Sequence, residues 1–189
     1  MKLNSSLYKK NSAFTLIELL VVIFIIALLA SIVAVQVNKA RLKSRNVARV
    51  ASVKAIATAF SMYINLDGSS LPVNHGPIPP DLMWSCVSNE CYGGWYPYVH
   101  KPVVDDAISP YLAGFPDDPK GGTRNAGGYM YAYDWAGAVS PYDGFLFKPG
   151  AYLNYLLELT TVSSGICGPG RVYYVSSDGN WIQCMLKLD

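Results

Sequence analysis

The first 67 residues contain neither glycine nor proline, whereas all 16 Gly and all 12 Pro fall at or after Gly68. These two residue types disfavour a helix interior most, by about 1 and about 3 kcal/mol relative to alanine. The first third of the 189-residue chain can therefore run as one uninterrupted helix, and the remainder must be rich in turns. Charge divides at the same place. Residues 1–66 hold nine Lys/Arg and a single acid, Glu18, for a net +8; residues 67–189 hold six Lys/Arg and twelve Asp/Glu, for a net −6. An acidic C-terminal part is by itself a poor binder of nucleic acid or of an anionic membrane surface.

Hydrophobic residues make up 51% of the chain and charged ones only 15%, which points to a membrane segment. Residues 14–35 supply it. Within residues 19–35 the only non-apolar side chain is Ser31. Twenty-two residues at about 1.5 Å each give ~33 Å, enough to cross a hydrocarbon core of about 30 Å. Two ordinary readings fit this pattern. A secretory signal peptide would be cut after the apolar run, and Ala30-Ser31-Ile32-Val33-Ala34 offers small residues there. A plain membrane anchor would not be cut. Neither explains Glu18, because a carboxylate inside an apolar helix costs roughly 2.5–3.5 kcal/mol on insertion. Such a group needs a positive partner. The flanking charges do not settle orientation, since Lys2, Lys9 and Lys10 precede the span and Lys39, Arg41, Lys43, Arg45 and Arg49 follow it.

The segment Ala13-Phe14-Thr15-Leu16-Ile17-Glu18-Leu19-Leu20-Val21-Val22-Ile23 resembles the class III signal of type IV prepilins and secretion-system pseudopilins. The resemblance implies a cut between Ala13 and Phe14 by a membrane-embedded aspartyl peptidase, followed by N-methylation of Phe14. Gly is commoner than Ala13 before the cut. Glu18 then falls where the family carries its glutamate, the fifth mature residue, and would pair with the N-terminal amine of a neighbouring subunit to set the filament register. An ammonium and a carboxylate in low dielectric each offset the other's desolvation only when they meet. The resemblance further implies a cytoplasmic N-terminus in a single-pass precursor, and a mature product in an extracellular pilus or a periplasmic pseudopilus.

Beyond the span, Val50, Val53, Ala57, Phe60 and Ile64 recur at spacings of three and four, an apolar stripe for packing. The family often has a helix-bending proline at mature position 22; Val35 stands there, so no proline kink is expected. Arg41, Arg45 and Arg49 form a row at spacings of four, with no acid between Glu18 and Asp67, and like charges so placed repel modestly. Two readings are open: a solvated or headgroup-facing surface, or contact with acidic heads of neighbouring subunits.

Residues 68–189 read as a head with short strands. Tyr129, Tyr131 and Tyr133 alternate with Met130 and Ala132 after Gly127-Gly128. Residues 171–175 and 180–187 flank the turn Ser177-Asp178-Gly179, and residues 152–159 are apolar but open between strand and helix. The expected architecture is α+β: a long N-terminal helix, membrane-spanning in its first half, packed on a small antiparallel sheet of three or four strands, type IV pilin-like. The expected parts are a leader at 1–13, a transmembrane and filament-core helix at 14–36, its amphipathic continuation at 37–67 and a disulfide-containing head at 68–189.

Cys86, Cys91, Cys167 and Cys184 all lie in the head and permit three pairings. Cys86–Cys91, a tight local loop, and Cys167–Cys184, tying the approach to one strand to its hairpin partner, are favoured; the second resembles the C-terminal disulfide loop of many pilins. Disulfides place the head outside the cytoplasm. A zinc site on Cys86, Cys91 and a histidine is the alternative, but His75 and His100 lack metal-site spacing. The sequence carries no GxSxG, HExxH or phosphate-binding glycine loop, so no catalytic residue is named and no enzyme is expected. No cofactor or metal is expected either. Asp105-Asp106 and Asp117-Asp118 are calcium candidates, the latter in Phe115-Pro116-Asp117-Asp118-Pro119-Lys120-Gly121-Gly122, which loosely resembles a pseudopilin calcium loop. They read more simply as solvated turn carboxylates. The expected function is a structural subunit of a type IV pilus-like filament, serving adhesion, motility or DNA uptake. Its implied partners are other copies of the chain, the prepilin peptidase, an inner-membrane assembly platform and, before assembly, membrane lipid, with no direct nucleic-acid site. A type II secretion pseudopilin, and a membrane-anchored binding or enzymatic domain, are the alternatives.

Overall fold

The computed structural model describes residues 14–67, 70–74, 84–91, 99–119, 127–158, 162, 163 and 165–189. The leader with Ala13, His75, and the end of the Phe115 loop at Lys120, Gly121 and Gly122 lie outside the described residues. The chain divides into two compact units, Met1–Ala40 and Arg41–Asp189.

In the first unit every residue from 14 to 40 is exposed. Helix α1 (Leu16–Asp67) begins there and is long and apolar enough to cross a membrane by length and composition. Lacking both Gly and Pro, it runs 52 residues. Inside the apolar stretch the Ser31 hydroxyl donates to the Leu28 carbonyl at 2.7 Å, so this polar group is satisfied by its own helix.

The second unit is an antiparallel sheet packed against the later turns of α1. Its strands are β1 (Ser85–Cys86), β2 (Tyr129–Trp135), β5 (Gly150–Glu158), β6 (Arg171–Val175) and β7 (Trp181–Lys187), in spatial order β1-β2-β5-β7-β6. A separate hairpin pairs β3 (Ala138–Val139) with β4 (Leu146–Phe147). The sheet thus has five strands, not three or four. The strands that sequence periodicity misses include β1, β3 and β4, each two residues long and too short to show alternation. Residues 152–158 are strand, within β5, and the cause of their poor periodicity is visible: every residue from Ala151 to Glu158 is buried, because both faces of the sheet are covered. Helix α2 (Pro102–Ile108), with Pro102 in its first turn, adds a short layer and buries Val104, Ala107 and Ile108.

One face of the sheet meets α1. Val53, Ile56, Ala59 and Phe60 are buried against Tyr129, Tyr131, Leu153, Tyr155, Leu157 and Ile182. Phe60 stacks on Tyr131 with ring centroids 4.5 Å apart, and each large side chain so buried contributes about 1.5–3 kcal/mol. Val50, Ala57 and Ile64 of the expected stripe flank this contact half-buried. The opposite face carries Phe147, Tyr152 and Met185 under Trp84, Trp135 and Tyr173. Trp135 meets Tyr152 and Tyr173 edge-on at 5.0 and 5.5 Å.

The structure joins Cys86 to Cys91 and Cys167 to Cys184. The first closes a loop beside β1. The second ties the turn before β6 to the middle of β7, a cross-link of the kind worth about 3 kcal/mol. Both loops approach their neighbours through glycine. Gly128 has φ +97°, and a Cβ there would sit 2.7 Å from the Cys91 sulfur. Gly168 has φ +62°, and its Cβ would collide with Val50 of α1.

Candidate functional site

The residues that the sequence singles out for processing and assembly stand at the start of α1. Phe14 is 82% exposed. Thr15 stands immediately before the first helical residue, with Glu18 three positions on. The Glu18 backbone N–H donates to Thr15 Oγ1 at 3.3 Å. In return the Glu18 carboxylate accepts the Thr15 backbone N–H at 2.8 Å and the Thr15 hydroxyl at 2.7 Å. This is a reciprocal capping box, satisfying donors that a helix start leaves orphaned. The T-x-x-E spacing before an apolar run is the sequence signature of this box, which gives Glu18 a partner on its own chain. The box uses the amide of Thr15, not the chain terminus, so a cut between Ala13 and Phe14 leaves its donors intact. The acid inside the apolar segment therefore has two local donors but no cationic side chain within the segment: Glu18 is the only residue from 14 to 38 with a charged side chain.

A second polar constellation lies wholly in the head-bearing unit. The row Arg41, Arg45, Arg49 is not one surface. Arg41 is exposed, Arg45 half-buried and Arg49 completely buried. Both open readings of the row, solvated surface and contact with neighbouring heads, are corrected for Arg45 and Arg49, whose acids come from their own chain. Arg45 Nε donates to Glu158 Oε1 at 2.9 Å and its Nη2 to Glu158 Oε2. Arg49 Nη1 reaches Glu158 Oε1 at 2.7 Å, its Nε reaches Asp118 Oδ1 at 2.8 Å and its Nη2 the Pro119 carbonyl. Asn46 on the same helix face donates to the Glu158 carbonyl at 2.6 Å and accepts the Glu158 N–H at 2.9 Å, pairing with the end of β5 as a further strand would. Asp118 also accepts the Gly128 N–H at 2.7 Å. One turn of α1 is thereby clamped to the end of the central strand and to the loop before β2.

Burial alone would raise the Glu158 carboxyl, but Arg45 and Arg49 outweigh it and hold it below its ordinary value. The Glu158 interaction also raises Arg45. A carboxyl depressed in the folded state contributes stability that is present above its unfolded pKa, about 4.3, and is lost as pH falls through the lower folded value. We expect the difference in melting temperature between the wild-type chain and Glu158→Gln to be largest above about pH 5 and to shrink toward about pH 3. A pH-independent difference in thermal melts would contradict the pairing.

The remaining candidates do not converge. His100 Nδ1 lies 3.2 Å from Asp105 Oδ1, with its ring edge-on to Phe115. Asp106 is exposed. Asn89 Nδ2 donates to Asp117 Oδ1 at 3.0 Å. Among the described residues no group of three or more His, Cys, Asp or Glu side chains is placed to hold a metal ion.

A model of the prokaryotic N-terminal methylation motif matches residues 8–34. No curated protein and no solved structure matches the chain. The matched motif is the class III signal of type IV pilins and pseudopilins, a class of structural subunits. The chain therefore carries that signal on an α+β, pilin-like architecture: a long N-terminal helix with an apolar stretch, and an antiparallel sheet.

Proposed function

We propose that the chain is a pilin, a structural subunit of a type IV pilus-like filament, cut by a prepilin peptidase between Ala13 and Phe14, methylated on Phe14 and assembled through α1. The observation that carries this reading is the methylation motif at 8–34 continuing into an apolar helix without Gly or Pro, whose one acid is Glu18. An exposed apolar segment of this length is stable only in lipid or against other apolar helices. The precursor meets that need in the cytoplasmic membrane, with its lysine-bearing leader in the cytoplasm; the assembled subunit meets it against other copies of α1. On leaving lipid, the Glu18 carboxylate is matched by the methylated ammonium of Phe14 on an adjacent copy. The two disulfides suit a head outside the cytoplasm.

The test is mechanical. Shearing cells that express the chain is expected to release thin filaments in which it is the labelled subunit under immunogold electron microscopy. A mature chain that stays entirely within the envelope would replace the surface pilus by a periplasmic pseudopilus.

A further inference from the structure

From residue 67 onward the chain has six Lys/Arg against twelve Asp/Glu, yet these charges are not mixed evenly. Lys148, Arg171 and Lys187, half of those cations, line a single groove of about 880 Å³ to which only one carboxylate, Asp143, contributes among the described residues. The volume falls in the range of small-molecule sites, about 300–1,000 Å³. The groove lies along the β3–β4 hairpin and the adjoining ends of β5, β6 and β7. Its wall is aromatic and in part open: Tyr142 is 46% exposed and Phe145 41%.

Two of the three cations are held by neighbours. The Arg171 guanidinium lies 3.8 Å from the Phe145 ring centroid and donates through Nη2 to Asp143 at 3.0 Å. Its plane is thus fixed while its side chain stays 51% exposed, so that N–H groups with no partner among the described residues can meet a planar anion. Lys187 pairs with Asp189 at 3.3 Å. Lys148 is exposed and has no carboxylate partner among the described residues.

We propose that this groove is a binding site for a short carboxylated saccharide, with the Tyr142 ring and the part of the Phe145 ring that Arg171 leaves exposed against the apolar faces of the sugar rings, and Arg171 and Lys148 on the carboxylate. Complementarity selects this class. A fixed guanidinium and an exposed lysine beside partly exposed aromatic rings match a ligand that has ring faces and sparse negative charge. A nucleic-acid strand, charged at every residue, would meet the net −6 of the surrounding head beyond the groove. The inference concerns the head and does not rest on the filament reading.

The test uses the full-length chain in detergent micelles, titrated with tri-galacturonate, neutral galactotriose and oligothymidylate by calorimetry. Tri-galacturonate is expected to bind roughly tenfold or more tighter than galactotriose and to weaken as salt rises. Lys148→Gln is expected to weaken it several-fold, Lys148→Gln with Arg171→Gln about tenfold or more, and Phe145→Ala several-fold, with the melting temperature of Lys148→Gln unchanged. The proposal is overturned by equal affinity for the charged and neutral trisaccharides, by no binding at millimolar ligand, or by a Lys148→Gln chain that binds as the wild type does. Oligothymidylate binding more tightly than tri-galacturonate would also overturn it and reassign the groove to single-stranded nucleic acid.

Discussion

Replacing Arg49 by Met is expected to lower the stability of the head by about 3–5 kcal/mol, the usual cost of removing one partner from a buried ion pair. In a domain of this size that corresponds to a fall of roughly 10 °C in the melting temperature. The side chain of Arg49 is fully buried and that of Asp118 is only 1% exposed. The substitution takes the Arg49 guanidinium away from Asp118, which keeps the Gly128 N–H, and takes a donor from the Pro119 carbonyl. Glu158 fares better because Arg45 remains. The same change at Arg45, whose side chain is 30% exposed, is expected to cost no more than about 1 kcal/mol. Near-ultraviolet circular dichroism melts of the two variants give the comparison. Equal small losses would mean that the clamp between α1, β5 and the loop before β2 contributes little.

Glu18 gives the second large effect. Its carboxylate serves the capping box with Thr15, and on the filament reading it also meets an ammonium of an adjacent copy. Two substitutions separate these roles. Glu18→Ala removes both, whereas Glu18→Gln keeps a side chain that can complete the capping box but carries no charge. Both variants are expected to insert and to be cut as the wild type is, and both are expected to reduce sheared filaments at least about tenfold, since a loss near 1.4 kcal/mol at each added subunit is already a factor of ten in its association constant. Normal filament yield from Glu18→Gln, with loss in Glu18→Ala, would assign the residue to helix capping alone.

What the sequence discloses follows from how local each cause is. The helix was legible because Gly and Pro are absent from its whole length, and its packing face because Val53 and Phe60 recur at helical spacing. Strand β6 is legible to the residue at Arg171–Val175, and β7 nearly so, because a clear turn separates them. The ion cluster was not legible. Arg45 and Glu158 stand 113 positions apart and Arg49 and Asp118 stand 69 apart, so the row of arginines reads as unrelieved like charge until the fold supplies the acids. Asn74 is a similar case: its amide donates to Ser85 Oγ and the Tyr131 carbonyl and accepts the Tyr133 N–H, completing the edge of β2 where the two-residue β1 ends. No pattern within residues 70–74 signals that role. The capping box is the opposite case. Its signal, Thr15 followed three positions later by Glu18, is wholly local, and both partners of the box lie within four residues of sequence.

The most direct measurement is the mass of the N-terminal peptide of the chain purified from its native membrane or filament. The account predicts a peptide that starts at Phe14 and is heavier than the unmodified sequence by one methyl substitution on its amine. A native chain that still begins at Met1, or one that begins beyond Ala30, would contradict it, leaving in the first case a tethered domain and in the second an exported one.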